Sequence, residues 1–323
     1  MPDIHVTIDG IMLYCDESMI GVDLGNGYII TKMSFDEFPF REKVTDGRKQ
    51  LSIDYLGSSI IDLDGNVHLI CIHKEDTYST DLSEIDTGNA FAAYKNKEMK
   101  YLNKVINLLH IFRSGNIGFK EVFFEHKFTI MGLINNTQIQ TDYSATKNVV
   151  EDRFYGLTTD EIGACNAFLN SVTEPEYLML KNCIDEFVWG LEQVDSPTGF
   201  EQYMTTLEMI LLLKRDAKKE NLAKRTAVLL ETDAMKIQTL YSKMKSFYNF
   251  RSKSLHEGNG SSITKAELIE MEDIVRRVLR KYLELCKIEI QINPSTTWLH
   301  VRNKERLELK RTVEQKVESG VFS

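Results

Sequence analysis

The stretch DAMKIQTLYSKMKSFYNFRSKSLHEG, residues 233–258, decides the fold class. Ile237, Leu240, Tyr241, Met244, Phe247 and Tyr248 recur at the period of an amphipathic helix, and Asp233 supplies an N-cap side chain. The same period continues to positions 251 and 255. Leu255 obeys it, but position 251 is Arg, which puts a guanidinium on or beside the packed seam. An unpaired charge buried there costs on the order of several kcal/mol. Compensation is expected from an acid on a neighbouring helix such as Glu208, from a partner subunit, or from a bound phosphate, which suits the forked geometry of Arg. His256 follows five residues later, just before Gly258 and Gly260 end the helix. An ordinary imidazole, with a pKa of about 6.5, exchanges protons near neutrality.

Outward from this helix the second half of the chain reads as helical throughout. Four Thr-x-x-Glu patterns predict capping boxes at helix starts: Thr158 with Glu161, Thr173 with Glu176, Thr198 with Glu201, and Thr264 with Glu267. Apolar stripes follow, through Tyr177, Leu180, Ile184, Phe187 and Leu191, then Phe200, Tyr203, Met204, Leu207 and Ile210, and finally Leu268, Met271, Val275, Leu279 and Tyr282. A shorter helix is expected over 221–231. Short connections imply an antiparallel bundle. Residues 298–318 read as a charged helix without a clear stripe. The first half is strand-rich: runs at 4–11, 27–31, 59–63, 67–73 and 121–131 carry β-branched and aromatic residues between turn signals. Asp64-Gly65-Asn66 and Gly25-Asn26-Gly27 mark turns, and Tyr101, Leu102, Val105, Leu108, Leu109 and Phe112 predict one helix among the strands. The expected organisation is an α+β domain over 1–155, an all-α antiparallel helical bundle over 156–290, and a charged helical tail over 291–323.

Composition bounds the function. With 323 residues, 42% hydrophobic and 27% charged, the chain is neither wholly disordered nor collagen-like, and it is long enough for two domains. No apolar run approaches the ~18 to 20 residues of a membrane helix, and MPDIHVTIDG carries acids where an export signal carries basic residues, so a cytoplasmic protein is expected. Cys15, Cys71, Cys165, Cys183 and Cys286 are scattered and odd in number, as reduced core thiols are. The net charge of −9 hides segregation. Residues 214–257 hold eleven basic against five acidic residues, a balance of +6, which leaves −15 for the remainder. Such a stretch fits either a phosphate-facing surface or a solvated helix face.

Metal and nucleotide constellations are weak. His68, Cys71, His73 and Asp76 have zinc-like composition, but strand alternation separates His68 from Cys71 and His73. Asp62, Asp64 and Asn66 begin like a calcium loop, yet Val67 and His73 occupy the positions that need Gly and Glu. Gly258-x-Gly260 lacks the Gly-Lys-Ser/Thr of a phosphate loop and reads as a turn between helices. Neither a metal nor a cofactor is expected.

FYNFRSKSLHEG, residues 247–258, resembles the signature of HEPN domains, in particular the Apea-like branch, in which an Arg, a polar residue, three further residues and a His are followed closely by Gly. TTLEMILL with Glu208 is similar to the family's first core helix and LAKRTAVLL with Arg225 to its next, while FRSGNIGFKEVFF, residues 112–124, is similar to a segment found upstream. Here Glu257 intervenes between His256 and Gly258, which loosens the His-Gly ending by one residue. The resemblance implies a metal-independent endoribonuclease that works as a homodimer and leaves 2′,3′-cyclic phosphate ends, in phage defence or a toxin-like stress response. His256 would be the general acid or base and Arg251 would hold the non-bridging oxygens. Ser252 and Glu208 would support them, and Lys253, Lys245 and Arg225 would contact RNA, either tRNA or mRNA. Five residues of ideal helix separate Arg251 and His256 by ~140° and ~7.5 Å of rise, so a second protomer would supply the missing reach. The alternative is a non-catalytic dimeric HEPN module that binds nucleotide or RNA as a scaffold. A purely structural bundle, with Arg251 in a buried salt bridge, is a third possibility.

Overall fold

The computed structural model describes residues 3–46, 50–52, 59–79, 87–130, 134–144, 155–193, 196–213, 216–257 and 263–322. By its contacts the chain divides into two compact units, Met1–His110 with Ser114–Ser171, and Ile111–Arg113 with Val172–Ser323.

The first unit is built on a six-stranded antiparallel sheet. Its elements are β1 (Asp3–Leu13), β2 (Ile29–Ser34), the short helix α1 (Arg41–Val44), β3 (Ser59–Ile61), β4 (Val67–Ser79), α2 (Thr87–Phe112), β5 (Gly118–Ile130), β6 (Ile134–Ser144) and α3 (Thr159–Ser171). The strand order is β2-β4-β1-β5-β6, with β3 paired to the start of β4. Alternation along β1 sends Ile4, Val6 and Ile8 into the core on one face. On the other, Ile11 and Leu13 join a cluster with Phe35, Phe38, Phe40, Leu69, Cys71 and Phe123. The turn before β2 holds Gly25, Asn26 and Gly27 all at positive φ, a conformation that favours glycine. A Cβ on Gly25 would lie 2.5 Å from the Tyr101 hydroxyl, which donates to the Leu24 carbonyl. The Asp64-Gly65-Asn66 turn joins β3 to β4 as expected, closed by Asp62 N–H donating to Asn66 O at 3.1 Å. Two expectations need extending. β6 is a strand the sequence reading did not anticipate, and α2 starts well before Tyr101. α3 belongs by its contacts to this unit, although its capping box groups it in sequence with the helical half.

The second unit is helical: α4 (Glu174–Leu191), α5 (Ser196–Leu211), α6 (Lys218–Leu230), α7 (Ala234–Glu257), α8 (Lys265–Ile292) and α9 (Trp298–Glu318). α4, α5 and α8 pack together around Leu180, Ile184, Phe187, Tyr203, Met204, Leu207, Met271, Val275 and Leu279, all buried. α6 and α7 form a hairpin that buries Leu222, Ala223, Ile237, Met244 and Phe247. Of the four expected capping boxes, those at Thr158 and Thr264 form in full. At Thr173 the hydroxyl meets only the Glu176 carboxylate, without a bond to backbone. Thr198 lies inside α5, two residues past its first residue, rather than at the N-cap position the sequence pattern suggested. α9 buries Val301, Arg306 and Leu309, and an apolar stripe was not visible because one of its buried residues is an arginine. Among the described residues no helix is long and apolar enough to cross a membrane. All five cysteines are free and buried, and burial pushes the thiols of Cys165, Cys183 and Cys286 up to about 12, as expected of core filler.

Candidate functional site

The site forms where α5 ends. Asp233 caps α7, accepting from the Lys236 amide at 3.0 Å, and Ile237, Tyr241, Met244 and Phe247 hold the helix in the bundle. Arg251 continues that buried face as the period predicts, with 18% of its side chain exposed. Its Nη1 donates to Glu208 Oε1 on α5, while its Nε is buried with no acceptor among the described residues. The other oxygen of Glu208 accepts from Lys218 Nζ at 3.3 Å. One carboxylate therefore bridges an inner guanidinium and an outer ammonium. The edges of Phe247 and Phe250 meet the ring of Phe200, with centroids 5.7 and 5.5 Å away, and pack the helix turn before Arg251.

The remaining expected residues are less concentrated. Ser252 is exposed on α7. His256 lies in the last turn of α7, but its side chain and that of Lys253 lie outside the described residues. Lys245 sits over the Tyr241 ring, donates to the Tyr241 hydroxyl at 3.0 Å and lies 3.6 Å from Glu220. Arg225 is a correction: it is 4% exposed, and its guanidinium is spent on both oxygens of Asp216 and on the Leu211 carbonyl. Burial and these bonds hold its Nη1 and Nη2 in the interior, where they serve the fold. Within the basic stretch Lys218, Lys224, Arg225, Lys243, Lys245 and Arg251 each meet an acid, but they share four carboxylates, Glu208, Asp216, Glu220 and Glu270, so their charge is only partly neutralised. Lys219 and Lys236 form no ion pair among the described residues.

Around the end of α5 the structure gathers, beside Arg225, two arginines that sequence reasoning missed, Arg302 and Arg306. Arg306 donates from Nε to the Ile210 carbonyl at 2.9 Å and from Nη2 to the Met209 carbonyl at 3.0 Å. Arg302 donates to Met209 O at 3.3 Å and Arg225 to Leu211 O at 2.7 Å. These carbonyls are the orphaned acceptors at a helix C-terminus, where cations are favoured. Burial, and then the charge of Arg302, push Arg306 down to about 10. The only advance signal was the density of arginine in a helix without a stripe.

The metal-like sets do not converge. Nε2 of His68 lies 2.9 Å from Asp62, Nδ1 of His73 lies 2.8 Å from Asp9, and Asp76 accepts from Tyr94 and pairs with Lys74. Asp62 accepts from the amides of Asp64 and Asn66, so it is a turn residue. No group of three or more metal-ligating side chains occurs among the described residues.

Fold and site together define an α+β unit with an antiparallel sheet and a helical bundle in which one carboxylate, Glu208, joins Arg251 and Lys218. Compared with protein-family models, with curated proteins and with solved structures, the chain gives no match.

Proposed function

We propose that the bundle is a HEPN-type endoribonuclease that cuts RNA without a metal, acting as a homodimer on cytoplasmic tRNA or mRNA. The observation that carries this reading is Arg251. It is set into the packed face of α7, one turn and a half before His256 on the same helix, with Nε lacking an acceptor among the described residues. In the reaction the ribose 2′-oxygen forms a bond to phosphorus as the bond from phosphorus to the 5′-oxygen breaks. His256 takes the 2′-OH proton or returns one to the leaving oxygen. Arg251 holds the non-bridging oxygens as charge gathers on them. The sheet-bearing unit would sense a trigger or position substrate, and the cut would serve defence against phage or a stress response.

The test is incubation of the full chain with end-labelled tRNA and mRNA in excess EDTA, beside Arg251→Ala and His256→Ala variants shown to be folded by circular dichroism. Expected are cleavage by wild type, cyclic-phosphate ends, and a loss of roughly 100-fold or more in either variant. Undiminished cleavage by His256→Ala would sink the assignment.

The pairing of Arg251 with Glu208, and of Lys218, Lys224, Lys243 and Lys245 with acids, favours a second reading. In that reading the bundle is a non-catalytic dimer that binds nucleotide or RNA as a scaffold. RNA bound by wild type but left intact, with or without infected-cell extract as trigger, would select it.

A further inference from the structure

The last turn of α5 gathers more positive charge than it neutralises. Arg225, Arg251, Arg302, Arg306 and Lys218 all bond to atoms of residues 208–211, and the carboxylates paired with them are Glu208 and Asp216. Arg306 and Arg302 donate to backbone carbonyls and Arg225 to a carbonyl and to Asp216, while the Nε of Arg302, like that of Arg251, is buried with no acceptor among the described residues. Arg251 and Lys218 are held by side-chain charge alone, and both by the same carboxylate. A carboxylate spreads one negative charge over two oxygens, as the non-bridging pair of a phosphodiester does, so the two are interchangeable partners for a guanidinium.

We infer that Glu208 is a built-in occupant of a phosphodiester site on Arg251, and that Lys218 is the cation to which Glu208 withdraws when an RNA backbone takes its place. The geometry already contains the path. Arg251 is 18% exposed and Lys218 60% exposed, so the bridging carboxylate leads from the interior towards solvent. A carboxylate that left Arg251 with no second cation would stay poorly solvated and unpaired, whereas Lys218 keeps it neutralised throughout. The unmatched Nε of Arg251 is a donor that Glu208 does not satisfy and a second oxygen of a phosphodiester would. The site is therefore held shut by its own side chain. This rests on the ribonuclease reading only for the identity of the anion.

The test measures binding of a 2′-O-methylated 20-mer RNA, which cannot be cut by 2′-OH attack, to the full chain by fluorescence anisotropy at low salt. Glu208→Gln is expected to tighten binding at least about fivefold, the lower end of ordinary coupling between sites. Lys218→Ala is expected to weaken it about threefold in the wild-type background, as loss of an exposed ion pair would, and to change nothing in the Glu208→Gln background. Binding unchanged or weakened by Glu208→Gln in a folded chain overturns the inference. So does equal weakening by Lys218→Ala in both backgrounds, because Lys218 would then touch RNA directly. Should Glu208→Gln fail to fold, Lys218→Ala decides alone, and unchanged or tighter binding counts against. Tightening by Glu208→Gln without cleavage of unmodified RNA by any variant retains the gate and removes the ribonuclease; cleavage with binding indifferent to Glu208→Gln does the reverse.

Discussion

Glu98 shows how much one residue can hold. It is almost fully buried on α2, and its Oε2 accepts from Lys74 Nζ at 2.9 Å, Tyr28 OH at 2.8 Å and Asn26 Nδ2 at 3.0 Å. Lys74 also reaches Asp76 at 2.9 Å and lies over the Tyr28 ring, while Tyr94 donates to Asp76 at 2.7 Å. Helix, β4 and the turn before β2 thus meet on one carboxylate. Burial, followed by the charge of Glu98, drives the Tyr28 hydroxyl far above its ordinary range, so it remains a donor at any physiological pH. Removing one partner strands the others. Glu98→Ala is expected to cost about 3–5 kcal/mol, whereas Lys74→Met with Glu98→Leu costs less, because the two buried charges leave together and Asp76, partly exposed, keeps its bond from Tyr94. Urea unfolding followed by circular dichroism separates the two, and equal midpoints would show that the network contributes no specific pairing.

At the scale of elements, the helix starts differ in a way that stability reads directly. Thr264 Oγ1 accepts from the Glu267 amide at 3.2 Å and the Glu267 carboxylate accepts from the Thr264 amide at 3.0 Å, whereas Thr173 bonds no backbone. Thr264→Ala is expected to cost about 1 kcal/mol and Thr173→Ala clearly less. The hydrogen bond from the Thr264 hydroxyl, then that from its amide, hold the Glu267 carboxyl below its ordinary value. A depressed folded-state value means the box stabilises above the ordinary carboxylate range and loses its contribution as pH falls through that lower value. Melting temperatures of wild type and Glu267→Gln should therefore differ at pH 7 and converge in acid. A constant difference down to acid pH would mean the charged carboxylate plays no part.

The same scale explains what was legible in the sequence. Local patterns carried through: the turns at residues 25–27 and 64–66, the cap at Asp233, the stripe of α7 and the place of Arg251 within it follow from neighbours within a turn or two. Glu208 could be named as a candidate partner because an acid on the preceding apolar helix stands out. What escaped depends on contacts between distant segments. Arg225 looks like a phosphate ligand until Asp216 and the Leu211 carbonyl are seen around it, and Arg306 looks like a solvated charge until the end of α5 is seen beneath it. Backbone carbonyls leave no mark in a sequence, so a buried arginine that satisfies them cannot be told from an exposed one.

At the scale of the whole molecule, the place where the first unit ends is open to measurement. α3 is tied to it by the Asn166 side chain, which accepts from the Asp23 amide at 2.8 Å and donates to the Gly21 carbonyl at 3.1 Å. The approach to α3 is tied in as well, since the Leu157 amide donates to Ser18 Oγ at 2.8 Å. α3 also buries Cys165 and Leu169. A fragment ending at residue 155 loses all of these. With roughly 0.5–1.5 kcal/mol for each hydrogen bond and about 1.5–3 kcal/mol for a buried Leu, the loss reaches several kcal/mol, a drop of about 10 °C in a unit of this size. Fragment 1–171 should therefore melt cooperatively and well above fragment 1–155 when both are followed by circular dichroism. Coincident melts would place α3 outside the folding unit and put the boundary where the change from strand-rich to helical sequence suggests it.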